Sequence, residues 1–317
     1  MHKRRKIASF ESSAAAHLHQ DALHLYNQLW GIAKFARHNP APNPVTLRRN
    51  DLTRLHDFVV GEKNDGERCL LLFGATQDSD EEYVVAVNRK KHMLTVAVKV
   101  ADPKLDCLEH KIDLYDGTLL DGEWVPSKQT FVVFDCVVAG GYSLRKRPLD
   151  DRLRAAAQVC ACLAPNGFQI EVKTFVPVPQ LSTLYRDIES GGKGACDGLI
   201  FVDKSAGIGT GRSPQLKKWK PLRKQTLDAV FHEGKWCCVG EHGRRVAVSF
   251  PVEGTGLEGT IYELLPPQNA RAAKWTVLKA RPDKLQPNHS TTVKNTLETI
   301  EENVTINEML KSCSNEK

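Results

Sequence analysis

From Phe58 to Asp203 the chain is a succession of short segments rich in β-branched and aromatic residues, separated by turn signals. They read FVVGEKN, CLLLF, EEYVVAV, MLTVAVKV, TLLDGEWV, TFVVFDCVV, GFQIEVKTFVPV and DGLIFVD. Strand side chains alternate between two faces, so such segments must pair into sheets and be covered by another layer. The segments DDRLRAAAQVCACLA and STLYRDIES interrupt them with helical spacing, which predicts an α+β domain with mainly antiparallel sheets. After Pro221 the pattern changes to the hairpin signals HEGKW and EHGRR, then VAVSFPV, GTIYELL and KWTVLKA, as expected of a small β-barrel. The end, VKNTLETIEENVTINEML, returns to helical spacing.

Upstream, Leu18, Leu23, Leu25, Leu29 and Trp30 predict an amphipathic helix from about Ser12 to Lys34, used for packing. His17, His19 and His24 lie on it, but their spacing does not put all three on one face. The prolines of NPAPNP (Asn39 to Pro44) then forbid helix continuation and make an extended linker. A chain of 317 residues exceeds what one core usually supports, so two domains are expected. The expected division is a tail and helix over 1–41, a large domain over 42–223, a small one over 224–292, and a C-terminal helix over 293–317.

The net charge of +6 suits a polyanionic partner without proving one. Nine cysteines without paired CxxC spacing read as reduced thiols of an intracellular protein. No apolar run approaches the roughly 20 residues needed to span a membrane. The basic MHKRRK can serve as a nuclear signal, a phosphate-binding arm or a solvated tail.

The chemistry concentrates in one ordered set of motifs. EKNDGER carries Lys63, Asp65, Gly66 and Arg68 as KxDGxR. LLDGEW, FVVFD, KTFVP, DGLIFV, LKKWKP and ARPDKLQPN follow it in order. On local signals alone the Asp-Gly pairs at 65, 121 and 197 would each be hairpin turns. A lysine attacks phosphorus only when unprotonated, so neighbouring cations would favour Lys63 as a nucleophile; Lys218 and Lys220 are the candidates.

This set resembles the covalent nucleotidyltransferase superfamily of capping enzymes and ATP-dependent DNA and RNA ligases, from about Pro42 to the C-terminus. The RxDK element at Arg281, Asp283 and Lys284 looks like mRNA guanylyltransferase, and the segment APNPVTLRRNDL and the C-terminal NTLETIEENVTINEML are similar to those of the short standalone capping enzymes of large DNA viruses. The resemblance implies a nucleotidyltransferase domain with ATP-grasp-like antiparallel sheets, a small OB-fold β-barrel, and a C-terminal helix packing back. It also implies GMP transfer from GTP through a Lys63 adduct to the 5′-diphosphate end of RNA.

In that family likeness Arg68 and Glu123 contact the ribose, and Arg89 binds the nucleotide. Phe134 stacks on the purine, Lys173 donates to guanine O6, and Lys218 and Lys220 hold the α-phosphate. Arg281 and Lys284 reach the β- and γ-phosphates. Asp65, Gly66 and Asp283 support their motifs, and Asp197, with Glu123 as a second carboxylate, ligates Mg2+ or Mn2+. The departures are Asn64, Glu67, Trp219 and Pro282. Neither a phosphatase loop nor paired ExE strands are visible, so a separate RNA triphosphatase and cap methyltransferase are expected. RNA polymerase contact, a monomeric state, and a nuclear or cytoplasmic viral setting complete the expectation.

An ATP-dependent polynucleotide ligase would share Lys63 and most motifs; RxDK and Lys173 argue against it. An inactive RNA-end-binding homologue is the non-enzyme alternative, against which every expected reactive position is filled. GIGTGR (Gly207 to Arg212) lacks a surrounding βαβ unit and reads as a loop, and the sequon at Asn303 carries no weight without a secretory signal.

Overall fold

The computed structural model describes residues 15–32, 39–164, 169–268 and 274–314; MHKRRK lies outside them. The chain forms two compact units: unit 1 is Met1–Val45 with His56–Lys218, and unit 2 is Thr46–Leu55 with Trp219–Lys317. Residues 46–55, inside the expected large domain, thus belong with the C-terminal part.

The first strands are β1 (Asn43–Thr46), β2 (Phe58–Asn64), β3 (Glu67–Ala75), β4 (Glu82–Asn88), β5 (Met93–Thr95), β6 (Lys99–Val100), β7 (Lys104–Cys107) and β8 (His110–Asp113). Next come β9 (Thr118–Val125), β10 (Thr130–Ala139), β11 (Tyr142–Ser143), β12 (Leu163–Ala164), β13 (Gln169–Val172), β14 (Val176–Pro177), β15 (Cys196–Asp203) and β16 (Arg212–Trp219). The helices are α1 (Ala15–Trp30), α2 (Leu149–Ala161) and α3 (Leu181–Glu189).

Two sheets organise unit 1. One has the order β1-β16-β15-β2-β14; the other runs β11-β10-β9-β3-β4-β5, with β13 parallel to β10. The second sheet is buried on both faces, which explains why CLLLF is apolar at consecutive positions. Leu71 and Phe73 join the core that α2 covers through Ala155, Ala156 and Val159. Leu70 and Leu72 face the core that α1 covers through Ala22, Tyr26 and Trp30, spaced four apart as one helical face. Leu18, Leu25 and Leu29 pack at its margin, so the N-terminal helix is a packing element.

Unit 2 adds β17 (Leu227–His232), β18 (Lys235–Val239), β19 (Arg245–Ala247), β20 (Val252–Glu253), β21 (Ile261–Leu265) and β22 (Trp275–Ala280), then α4 (Ser290–Glu302) and α5 (Ile306–Ser314). These strands form a six-stranded sheet, β19-β18-β17-β21-β22-β20. It is open: no described ladder joins its two edges into a closed barrel. Val293, Leu297 and Ile300 pack α4 onto its core of Leu227, Ala229, Trp236, Leu264 and Trp275. The C-terminal helix is two helices, broken at Asn303 in the left-handed conformation. Arg48 reaches Glu302 and Glu298 on α4, and Arg49 reaches Glu308 on α5, which ties residues 46–55 into this unit. Among the described residues no helix is long and apolar enough to cross a membrane.

Candidate active site

Lys63 lies near the end of β2, where the chain leaves one sheet and enters the other. Asp65 and Gly66 form that corner, so this Asp-Gly turn joins two sheets and not two paired strands. Gly66 is required: a Cβ there would overlap the Trp124 carbonyl oxygen and press on Glu123 Cγ. Its N–H instead donates to Glu123 Oε1 at 3.0 Å. The other two Asp-Gly pairs are not turns. Asp121-Gly122 lies inside β9 and Asp197-Gly198 inside β15. Turn propensity yielded to the ladders on both sides.

Two site residues owe their placement to β-bulges, which leave one residue unpaired and re-aim its side chain. On β15, Cys196 pairs with Asn64 and Gly198 with Lys63, so Asp197 is the extra residue. Its Oδ1 lies 2.8 Å from Lys63 Nζ. On β10, Val133 pairs with Gly122 and Asp135 with Asp121, so Phe134 is the extra residue. The Arg68 guanidinium sits 5.4 Å from its ring centroid.

Between the sheets of unit 1 is a cleft of about 790 Å³ of empty volume, part of it open solvent. Lys63, Arg68, Arg89, Glu123, Phe134 and Lys173, all candidates from the sequence, line it together, and Ile200, Val202 and Leu216 supply an apolar wall. Asp197 joins them through Lys63. Lys218 lies on β16 two positions past Leu216 and therefore on the same strand face, whereas Lys217 and Trp219 are buried. Lys220 belongs to unit 2.

The polar groups of the cleft are tightly coupled. Arg68 donates Nε to Asp121 Oδ1 at 2.9 Å, and a second N–H to Asp121 Oδ2. Burial opposes its charge, but Asp121, Asp135 and Glu123 together outweigh burial and the Arg68 pKa rises. Lys173 is buried; its ammonium donates to Glu62 Oε1 at 3.0 Å and to Asn64 Oδ1 at 2.6 Å. Burial lowers its pKa, with Glu62 pulling the other way. Gly61 makes room for it, since a Cβ there would sit 3.0 Å from Lys173 Cε. Glu123 is pushed up by burial, against the charge of Lys63 and the Gly66 N–H. Arg89 has no ion pair or hydrogen bond among the described residues.

Several of these residues escaped the sequence reading. Asp121 was visible in LLDGEW but was given no role of its own. Glu62 and Asn64 flank the nucleophile and carry no motif signal. Asp135, on the cleft wall, receives Arg152 Nε at 2.7 Å, and Arg152 looked like an ordinary helix residue of DDRLR. Among the described residues no group of three His, Cys, Asp or Glu side chains is arranged to hold a metal, the α1 histidines included.

In unit 2 the RxDK element folds on itself. Arg281 grips Asp283 through Nε (3.0 Å) and a terminal nitrogen (3.1 Å), and reaches Asp228 at 2.8 Å and Glu263 at 3.4 Å. Lys284 Nζ is 3.6 Å from the second Asp228 oxygen.

The sequence matches the family described as "mRNA capping enzyme, catalytic domain" over residues 16–222, and "mRNA capping enzyme, C-terminal domain" over 215–310. The chain belongs to the mRNA capping enzyme family. Like other capping enzymes it is a nucleotidyltransferase, and the two matches overlap on the segment that contains LKKWKP. The mRNA-capping enzyme subunit alpha of Neurospora crassa is 23% identical, over 87% of this chain and 84% of the relative. That of Schizosaccharomyces pombe is 25% identical over 86% and 79%. The mRNA-capping enzyme of African swine fever virus is 23% identical over 74% of this chain and 25% of its own length. Among solved structures, a mycobacterial DNA ligase D complexed with ATP matches at a TM-score of 0.45 and 15% identity, over 78% of this chain and 96% of that one.

Proposed function

We propose that the protein is an RNA guanylyltransferase that moves GMP from GTP through a Lys63 adduct to the 5′-diphosphate end of RNA. The observation that carries the reading is Lys63 in a cleft whose walls hold three further cations, Arg68, Arg89 and Lys173, and an aromatic ring, Phe134. Phosphoryl transfer depends mainly on positioning and charge neutralisation, and this wall supplies both.

In the first half-reaction Lys63 Nζ bonds to the α-phosphorus of GTP, the bond to the bridging oxygen breaks, and pyrophosphate leaves. Asp197 Oδ1, 2.8 Å from Nζ, takes the proton that Lys63 loses. In the second, a β-phosphate oxygen of the RNA bonds to the α-phosphorus, the phosphorus–nitrogen bond breaks, and Lys63 Nζ takes back the proton held by Asp197. Phe134 stacks on the purine, Lys173 faces guanine O6, and Arg68 and Glu123 meet the ribose. A lysine donor suits O6 and repels the amino group of adenine, which favours GTP over the ATP of a ligase. Lys218 and Lys220 are assigned to the α-phosphate, and Arg281 and Lys284 to the β- and γ-phosphates.

Asp197 and Glu123 suit Mg2+ or Mn2+, which take one or two carboxylates and complete the shell with water and phosphate oxygens. Burial is the main cause of the raised Glu123 pKa and the charge of Asp197 adds to it, so the two carboxylates would hold a divalent cation favourably. When bound, it supplies positive charge at the α-phosphate. Substrate RNA would come from a separate triphosphatase, the cap would pass to a separate methyltransferase, and RNA polymerase is a further partner. The setting is the nucleus or a cytoplasmic viral compartment, with the protein a monomer.

Intact-mass measurement after incubation with GTP and magnesium tests the reading. A gain of one GMP, mapped to Lys63 and reversed by pyrophosphate, is expected; a stable mass with both metals would refute it.

A further inference from the structure

We propose that Arg152 is a positioning residue for the nucleotide: by occupying both oxygens of Asp135 it keeps Arg68 on Asp121 and beside the Phe134 ring. This rests on the GTP reading above. Asp121 on β9 and Asp135 on β10 are direct cross-strand partners. Like charges so placed destabilise a sheet. Each carboxylate has its own arginine. Arg68 reaches both oxygens of Asp121 from β3, and Arg152 reaches both oxygens of Asp135 from α2, at 2.7 and 3.1 Å.

Arg152 is 2% exposed, and its third nitrogen donates to the carbonyl oxygens of Arg147 and Ala206. It acts on the cleft through Asp135, which lines the wall next to Phe134. Without Arg152, Asp135 is a carboxylate that has lost its counter-charge, opposite Asp121. Breaking such a pair by removing one partner leaves an uncompensated charge that seeks another cation. Arg68 already feels the charge of Asp135. A guanidinium drawn between two carboxylates loses the fork geometry that Asp121 alone imposes. The same displacement takes Arg68 from the ribose and from the ring 5.4 Å away on which the purine stacks.

Single-turnover adduct formation by the full chain, followed as GTP is varied, tests the proposal. Arg152→Met is expected to raise the half-saturating GTP concentration about five- to tenfold and to leave the maximal rate within about threefold, because Lys63 and Asp197 keep their places. Asp135→Asn in the Arg152→Met background removes the stray charge and should restore half-saturation to within about twofold of wild type. Partial unfolding would lower the amount of active protein without moving half-saturation. No shift in Arg152→Met, or a shift that Asp135→Asn fails to reverse, therefore overturns the proposal. Should Arg152→Met not fold, Arg152→Lys decides, since lysine keeps the charge but lacks the fork that occupies both Asp135 oxygens. A raised half-saturation that Asp135→Asn reverses supports the proposal; no rise, or one that persists, overturns it. Adduct from ATP in place of GTP in the wild type would instead refute the GTP reading itself.

Discussion

Arg89 and Arg281 are both assigned to the nucleotide, yet their surroundings differ. Arg281 holds three carboxylates, Asp228, Glu263 and Asp283, and bonding to Asp283 is the leading cause of its raised pKa. Arg89 lines the cleft with no ion pair, and burial together with the charge of Arg68 lowers its pKa. One guanidinium must exchange partners to meet a phosphate. The other has no hydrogen bond or ion pair among the described residues and feels Glu123 and Asp121 only through their charge. The cleft of unit 1 keeps one guanidinium without a direct partner among the described residues, while that of the RxDK cluster in unit 2 is held by its own chain.

The largest expected effect comes from Arg281→Ala. Adduct formation should fall about a hundredfold or more, with transfer from preformed Lys63-GMP less affected, as single-turnover labelling of each half-reaction would show. Equal loss in both steps would break the assignment to the leaving pyrophosphate. The same variant leaves three carboxylates facing one another and should destabilise unit 2 by about 2 kcal/mol, readable by denaturant unfolding.

Glu123→Gln should cost less in stability than it costs in activity, and in the opposite direction. The folded pKa of Glu123 is raised above its unfolded value, so the folded state holds the proton longer. Stability is therefore lost as pH rises from the unfolded value through the folded one, and the charged form is unfavourable at neutral pH. Glu123→Gln should raise the melting temperature at pH 7.5 and lower adduct formation at least tenfold. A lower melting temperature would contradict the strain assigned to the cleft.

Arg89→Ala is the mildest. GTP affinity should fall about tenfold while stability stays within about 0.5 kcal/mol, since no hydrogen bond or ion pair among the described residues is lost. A large loss of stability would mean that Arg89 is structural, and the contrast with Arg281 would vanish.

Much of this was legible in the sequence because motif chemistry is local. KxDGxR put Lys63 and Gly66 at a strand end, and alternation predicted the strands around them. What escaped depends on pairing. The bulges at Phe134 and Asp197 exist only relative to β9 and β2, so the sequence offered both residues as candidates without showing what re-aims them. Glu62, Asn64 and Arg152 carry ordinary side chains whose meaning comes from distant partners, Lys173 and Asp135. The missing barrel closure is likewise a property of strand edges, which strand propensity does not encode.

The most direct test of Lys63 as the nucleotide carrier is incubation of the purified protein with α-labelled GTP or ATP and magnesium or manganese, followed by a denaturing gel, with Lys63→Ala alongside. Label from GTP alone, lost in Lys63→Ala, is the predicted result. Label from ATP would make the protein a ligase, and label from neither would contradict covalent nucleotidyl transfer altogether.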